Sequence, residues 1–119
     1  MEKNGKIWGE TSLLFSLNNV EIHRIEVKEG GVCSLHSHTH KWNLFFVEKG
    51  LLEIEVHKND YALIDKTVLG NLDMMKVAPG EKHRFRALAD TVAYEIYWCT
   101  LDSADIQRDD VGSRLVLQE

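Results

Sequence analysis

Cysteine is nearly missing from this sequence. Only Cys33 and Cys99 occur, with no C-x-x-C pair, which argues against a zinc finger. In a reducing compartment two such thiols are expected to be free and buried, packing as small apolar residues. Long apolar runs are also missing: none approaches the ~18 residues that a spanning helix needs. The first residues, MEKNGKIWGETSLL, lack the apolar core of a signal peptide, so a cytoplasmic location is the expectation. No block of five like charges occurs, which excludes a charged tail. The 14 basic and 19 acidic residues give a net charge of −5. That balance argues against a nucleic-acid partner, which rewards a concentrated basic face. Proline occurs once, as Pro79 in an Ala-Pro-Gly turn.

The pattern that is present is β. Residues 20–27 (VEIHRIEV) alternate, with Val20 and Ile22 on one face and Ile25 and Val27 on the other. Residues 51–57 (LLEIEVH) alternate more cleanly, with Leu52, Ile54 and Val56 facing in and Glu53, Glu55 and His57 facing out. Further strands are expected at 32–38, 42–47, 61–64, 74–77, 83–88 and 91–101, with an unclear apolar stretch at 12–17. Gly30-Gly31, Glu48-Lys49-Gly50, Lys58-Asn59-Asp60, Gly70-Asn71 and Ala89-Asp90 read as turns between them. Eight to ten short strands at this spacing indicate an all-β sandwich or barrel, and a long helix has no support. The 119 residues make one domain, with a core that needs no staples. The barrel is expected over about 12–101, and 102–119 as an irregular tail.

The stretch 31–50 (GVCSLHSHTHKWNLFFVEKG) carries three of the six histidines. His36, His38 and His40 alternate, which on a strand puts them on one face. A metal site is one reading; a polar outer face is the other. Alternate residues lie about 6.6 Å apart along a strand and can converge on one ion, whereas i and i+4, about 13 Å apart, cannot easily do so. The pair is therefore His36 with His38, or His38 with His40 if a turn shifts the register.

These residues resemble the motifs of the cupin superfamily. Its first motif runs from a glycine to a His-x-His pair, then a glutamate and a closing glycine. Gly30, His36-Ser37-His38 and Gly50 fit, but Asn43 stands at the glutamate position. Its second motif has a Pro-x-Gly turn, a histidine and an asparagine. Pro79-Gly80 and His83 fit, with the turn one residue shorter and Ala87 at the asparagine position. Within the superfamily the chain is similar to small single-domain members described as mannose-6-phosphate-isomerase-like.

The resemblance implies a double-stranded β-helix, a jelly-roll barrel. It also implies one divalent transition metal ion (Fe, Zn, Ni or Mn) held by His36, His38 and His83, with Asn43 and His40 as secondary candidates. A small-molecule ligand and a homodimer are implied, the long aromatic strand at 91–101 offering material for pairing. Inward positions on that strand are either Glu95 and Tyr97, or Tyr94, Ile96 and Trp98. If inward, Glu95 is the candidate general base or acid, because burial raises a carboxylate's pKa. Lys41, Arg84 and Arg86 are candidates for gripping an anion at the mouth, and His23 and His57 are expected on the solvated surface. Three functions fit: isomerase or epimerase chemistry on a small sugar or sugar phosphate, three-histidine iron dioxygenase chemistry on a small anionic or thiol substrate, and non-catalytic ligand binding or sensing.

Overall fold

The computed structural model describes residues 2–58, 62–99, 104–105 and 107–117. Among them are nine strands and no helix. The strands are β1 (Glu2–Lys6), β2 (Gly9–Leu17), β3 (Val20–Val27), β4 (Trp42–Lys49), β5 (Leu52–His57), β6 (Ile64–Leu69), β7 (Met74–Val77), β8 (Lys82–Ala87) and β9 (Thr91–Trp98). They form two antiparallel sheets, β1-β2-β3-β9-β4-β7 and β6-β5-β8. From β6 onward each strand crosses to the other sheet, so the two sheets close face to face as a jelly roll.

Period-two patterning builds the core. Phe45 and Val47 on β4, Ile25 and Val27 on β3, and Ala93 on β9 point inward from the larger sheet. Leu52, Ile54 and Val56 on β5 meet them with Phe85 and Ala87 from β8. On β8, His83 shares this inward face and is 1% exposed. The outer face of the smaller sheet is instead a charge ladder. Glu55 pairs in register with Arg84 and Lys66, and Glu53 with Arg86. The Nε of Arg84 lies 3.4 Å from Glu55, a cross-strand pairing that leaves this face suited to water.

Several expectations are corrected. Residues 32–38 are not a strand: the segment touches β8 through isolated bridges, Val32 with Arg86 and His36 with His83. Between those bridges it is one residue longer than its partner, so Ser34 and Leu35 both face out. The Phe85 amide there donates to the Cys33 Sγ at 3.1 Å. The turn at 48–50, read from the sequence as a hairpin-type connection, instead joins strands of different sheets, β4 and β5. The strand expected at 61–64 lies at Ile64–Leu69, and Asn59, Asp60, Tyr61 and Leu101 lie outside the described residues. The sequence reading also missed β1, which has no apolar face and is held by backbone pairing to β2. Cys99 is exposed; only Cys33 is buried.

Gly50 makes the β4–β5 crossing with φ +118°. A Cβ there would lie 2.5 Å from Thr91 Oγ1 and 2.6 Å from the Asp90 carbonyl. Gly30 also has positive φ, but nothing lies within 4 Å of its Cβ position. Gly30→Ala is therefore expected to cost only the left-handed backbone penalty, about 1–2 kcal/mol. Gly50→Ala adds a backbone clash and is expected to cost clearly more. Urea unfolding of the two variants checks this; equal midpoints would show that contact with β9 plays no part.

Candidate metal centre

His36, His38 and His83 come together at one end of the barrel interior. One ligand nitrogen from each lies within 4.8 Å of the others. Two nitrogens about 2.1 Å from one ion can be at most about 4.2 Å apart, so small side-chain rotations close the site. The ring centroids of His36 and His83 are 4.5 Å apart, and those of His36 and His38 are 5.1 Å apart.

Backbone geometry produces this convergence. His36 N donates to His83 O at 3.1 Å, and His83 N donates to His36 O at 2.8 Å. Bridge partners in an antiparallel pair project to the same side, so both imidazoles enter the interior. The Gly80 amide, in the Pro79-Gly80 turn, donates to the His38 carbonyl at 2.7 Å and fixes the third histidine beside them.

The donor set fits a metal ion. The Nδ1–H of His36 donates to the Ser34 carbonyl at 2.7 Å, and that of His83 to the Glu81 carbonyl at 3.0 Å. Both tautomers are thereby set with the lone pair on Nε2, as metal-ligating histidines require. The Nε2 of His38 is buried with no hydrogen-bond partner in the protein. Burial, then the neighbouring His36 and His83, push the His38 pKa down to about 4, and burial pushes His83 down too. Both rings are therefore neutral near pH 7, the form that binds metals.

Asn43, on β4, is 1% exposed. Its Nδ2 donates to His83 Nε2 at 3.3 Å, while its Oδ1 is buried and unpartnered. A half-turn of the amide exchanges these two atoms, so Asn43 can offer a neutral oxygen where a carboxylate would add charge. His40 is exposed at the following bend and is not part of the cluster.

Glu95 faces inward, 8% exposed, and is not part of the histidine cluster. The hydroxyl of Tyr97 donates to its Oε2. Burial first, then Glu95, push the Tyr97 pKa up, so the phenol keeps its proton. A cavity of about 360 Å³ is lined by Glu95, Tyr97, Cys33, Ser34 and His36, with Trp8 and Phe85 as an apolar wall. Burial raises the Cys33 thiol to about 11, so it is inert at neutral pH. A larger cavity of about 460 Å³ lies along β1, β2 and residues 90–92 and contains none of the three histidines, whereas His36 lines the smaller one.

Lys41 stands beside this mouth, 4.8 Å over the Tyr97 ring and 3.8 Å from Glu21. Arg84 and Arg86 do not reach the mouth; both pair with glutamates on the outer face of the smaller sheet. His23 and His57 are half-buried rather than solvated, bonded to Glu21 and Glu55 respectively. The part of the β1–β2 hairpin that lines the cavity (Lys6, Ile7 and Trp8) was missed by the sequence reading. Nothing local distinguishes it, because its place over the site follows from sheet pairing.

No protein-family model matches the sequence, and no curated protein matches it. Solved structures do. KdgF from a Halomonas species superposes with a TM-score of 0.72 at 14% identity, covering 85% of this chain and 90% of that one. An RmlC-like cupin from Shewanella frigidimarina gives 0.67 at 19% identity, covering 83% and 84%. Bacillus subtilis oxalate decarboxylase, a protein with Mn(II) centres, gives 0.75 at 14% identity, but this chain spans only 29% of its length. With its two antiparallel sheets and inward-facing histidine cluster, the chain has the cupin fold.

Proposed function

We propose that the protein is a metal-dependent enzyme acting on a small hydroxylated, sugar-type substrate, with isomerase or epimerase chemistry of the mannose-6-phosphate-isomerase-like kind. The observation that carries this is the inward carboxylate of Glu95 in the cavity that His36 also lines. His36, His38 and His83 would hold the ion, which when bound supplies Lewis-acid polarisation of a substrate oxygen. Tyr97 occupies Oε2 of Glu95 and fixes its orientation. Oε1 is then the atom that takes a proton from substrate carbon and returns it. Trp8 and Phe85 offer an apolar wall for the ring or chain of the substrate and narrow the access of water. Because Glu21 already partners Lys41, the mouth favours hydroxyl groups over a strongly anionic group.

A second function has its own observation. Asn43 stands beside His83 where a carboxylate would complete the ligand set. Three neutral histidines leave an ion its full charge and open positions, which supports O₂-consuming oxidation of a small anionic or thiol substrate.

Elemental analysis of natively purified protein is expected to give one transition-metal ion per chain. His83→Ala is expected to weaken metal binding at least about 100-fold. Glu95→Gln should keep the metal and lose turnover on sugar-type carbonyl substrates. Oxygen uptake with iron bound would select the oxidation, and metal bound without turnover on either substrate class would leave a binding module.

Asn43→Glu is expected to tighten divalent-metal binding by adding an anionic ligand, and to destabilise the chelator-treated protein by burying an unpaired charge. Calorimetric titration reads both, and unchanged affinity would place residue 43 outside the coordination sphere.

Stability of the metal-free protein should also depend on pH. His38 and His83 resist protonation when folded, whereas the unfolded chain takes up these protons near 6.5. Their contribution is present above about pH 6.5, falls as pH drops toward 4, and is lost below that. A His38→Gln, His83→Gln double variant should flatten the slope of denaturation midpoint between pH 7 and pH 5. An unchanged slope would locate the dependence elsewhere.

A further inference from the structure

We propose that Glu21 is a positioning residue for Glu95, acting on it through Lys41, His23 and the ring of Tyr97; this rests on the reading of Glu95 as the group that moves the substrate proton. Alternation on β3 places it. Glu21 and His23 fall in step with Ile25 and Val27, which point into the core, so both belong to the inward face of that strand. The sheet register sets Glu21 opposite Tyr97 and His23 opposite Glu95 on β9. Opposite side chains on one face of an antiparallel pair have Cβ atoms about 4.5–5.5 Å apart, and aromatic rings reach the diagonal neighbour too. The four side chains therefore form one square at the mouth of the barrel.

Hydrogen bonds run along two sides of the square, and ring contacts tie those sides together. The Nε2 of His23 donates to Glu21 Oε2 at 3.3 Å, while the Tyr97 hydroxyl donates to Glu95 Oε2. The His23 ring stands edge-on to the Tyr97 ring, with centroids 5.7 Å apart. Lys41 supplies a second tie. Its Nζ lies 4.8 Å over the Tyr97 ring and 3.8 Å from the same Oε2 of Glu21 that His23 meets.

Lys41 is the contact that needs holding. Its side chain is 41% exposed, and a flexible lysine stem leaves its ammonium free to move into water. Glu21 prevents this. The hydrogen bond from His23, and after it the charge of Lys41, hold the Glu21 carboxyl below its usual pKa, so it is anionic at neutral pH. The cation over the ring face steadies Tyr97, and the ring carries the hydroxyl that occupies Oε2 of Glu95. Without the charge on Glu21 the ring gains room and Oε1 of Glu95 loses its aim; a misplacement of about 1 Å can cost about 100-fold in rate. Neither Glu21 nor Lys41 lines the cavity itself.

Glu21→Gln keeps the size and removes the charge. It is expected to lower kcat on sugar-type carbonyl substrates about 10- to 100-fold, with KM within about three-fold and metal content unchanged. Combined with Tyr97→Phe it should cost nothing further, because both act on one bond to Glu95. Lys41→Met is expected to match Glu21→Gln, and Lys41→Arg, which keeps a cation over the ring, to restore kcat to within about three-fold of the parent. A readout without turnover is the Tyr97 hydroxyl proton in the chelator-treated protein. It is expected as a slowly exchanging proton resonance, absent from Tyr97→Phe and broadened or lost in Glu21→Gln. An unchanged kcat or an unchanged resonance in Glu21→Gln overturns the proposal, as do losses that multiply in the double variant; a turnover loss in Glu95→Gln would then still stand. Turnover retained by Glu95→Gln overturns the reading of Glu95 and this proposal with it. If no sugar-type substrate turns over, that reading fails, and the resonance alone decides whether Glu21 holds Tyr97 against Glu95.

Discussion

The site depends on one backbone bridge. His36 and His83 exchange two main-chain hydrogen bonds, of 3.1 and 2.8 Å, and this alone sends both imidazoles to the same interior point. Everything else positions that bridge. β8 carries His83 inward because it alternates with Phe85 and Ala87 in the core. The segment before His36 carries an extra residue relative to β8, which ends regular pairing and frees the chain to turn His38 alongside. A uniform strand over 32–38 would have continued the ladder and kept the two segments in flat register.

The interior around the bridge has two characters. Below it, Phe45 and Phe85 pack edge to face at 6.3 Å and exclude water. Above it, Glu95, Tyr97, Glu21, His23 and Lys41 form a polar wall connected by hydrogen bonds and ring contacts. The histidines stand at the boundary, desolvated enough to remain neutral and near enough to a cavity to meet a ligand. Buried nitrogens without partners are costly in a stable domain. An ion would remove that cost at His38.

Much of this was legible in the sequence. The alternation in 51–57 gave the inward face of β5 as found, and 74–77 gave β7 at its observed bounds. The resemblance to the cupin motif, which Gly50 closes, implied His36 and His38 rather than His40, and the positive φ of Gly50 at the sheet crossing gives that glycine a physical role. β1 was not legible, because a strand held by edge pairing needs no apolar pattern. The smaller sheet's outer arginines were misplaced because a charge on a strand names a face only after register is known.

The sequence by itself determined the strands with an alternating apolar face and the all-β class. Those follow from side-chain period, which is local; the grouping of His36 and His38 with His83 was implied only by the family resemblance, and it is the fold that brings the three together. Only the tertiary structure decided that Glu95 and Tyr97 face the interior rather than Tyr94, Ile96 and Trp98. On β9 both alternating sets are aromatic or apolar apart from Thr91 and Glu95, so period alone does not say which face is inward. The choice is made when β9 pairs between β3 and β4 and its small Ala93 is pressed against the core.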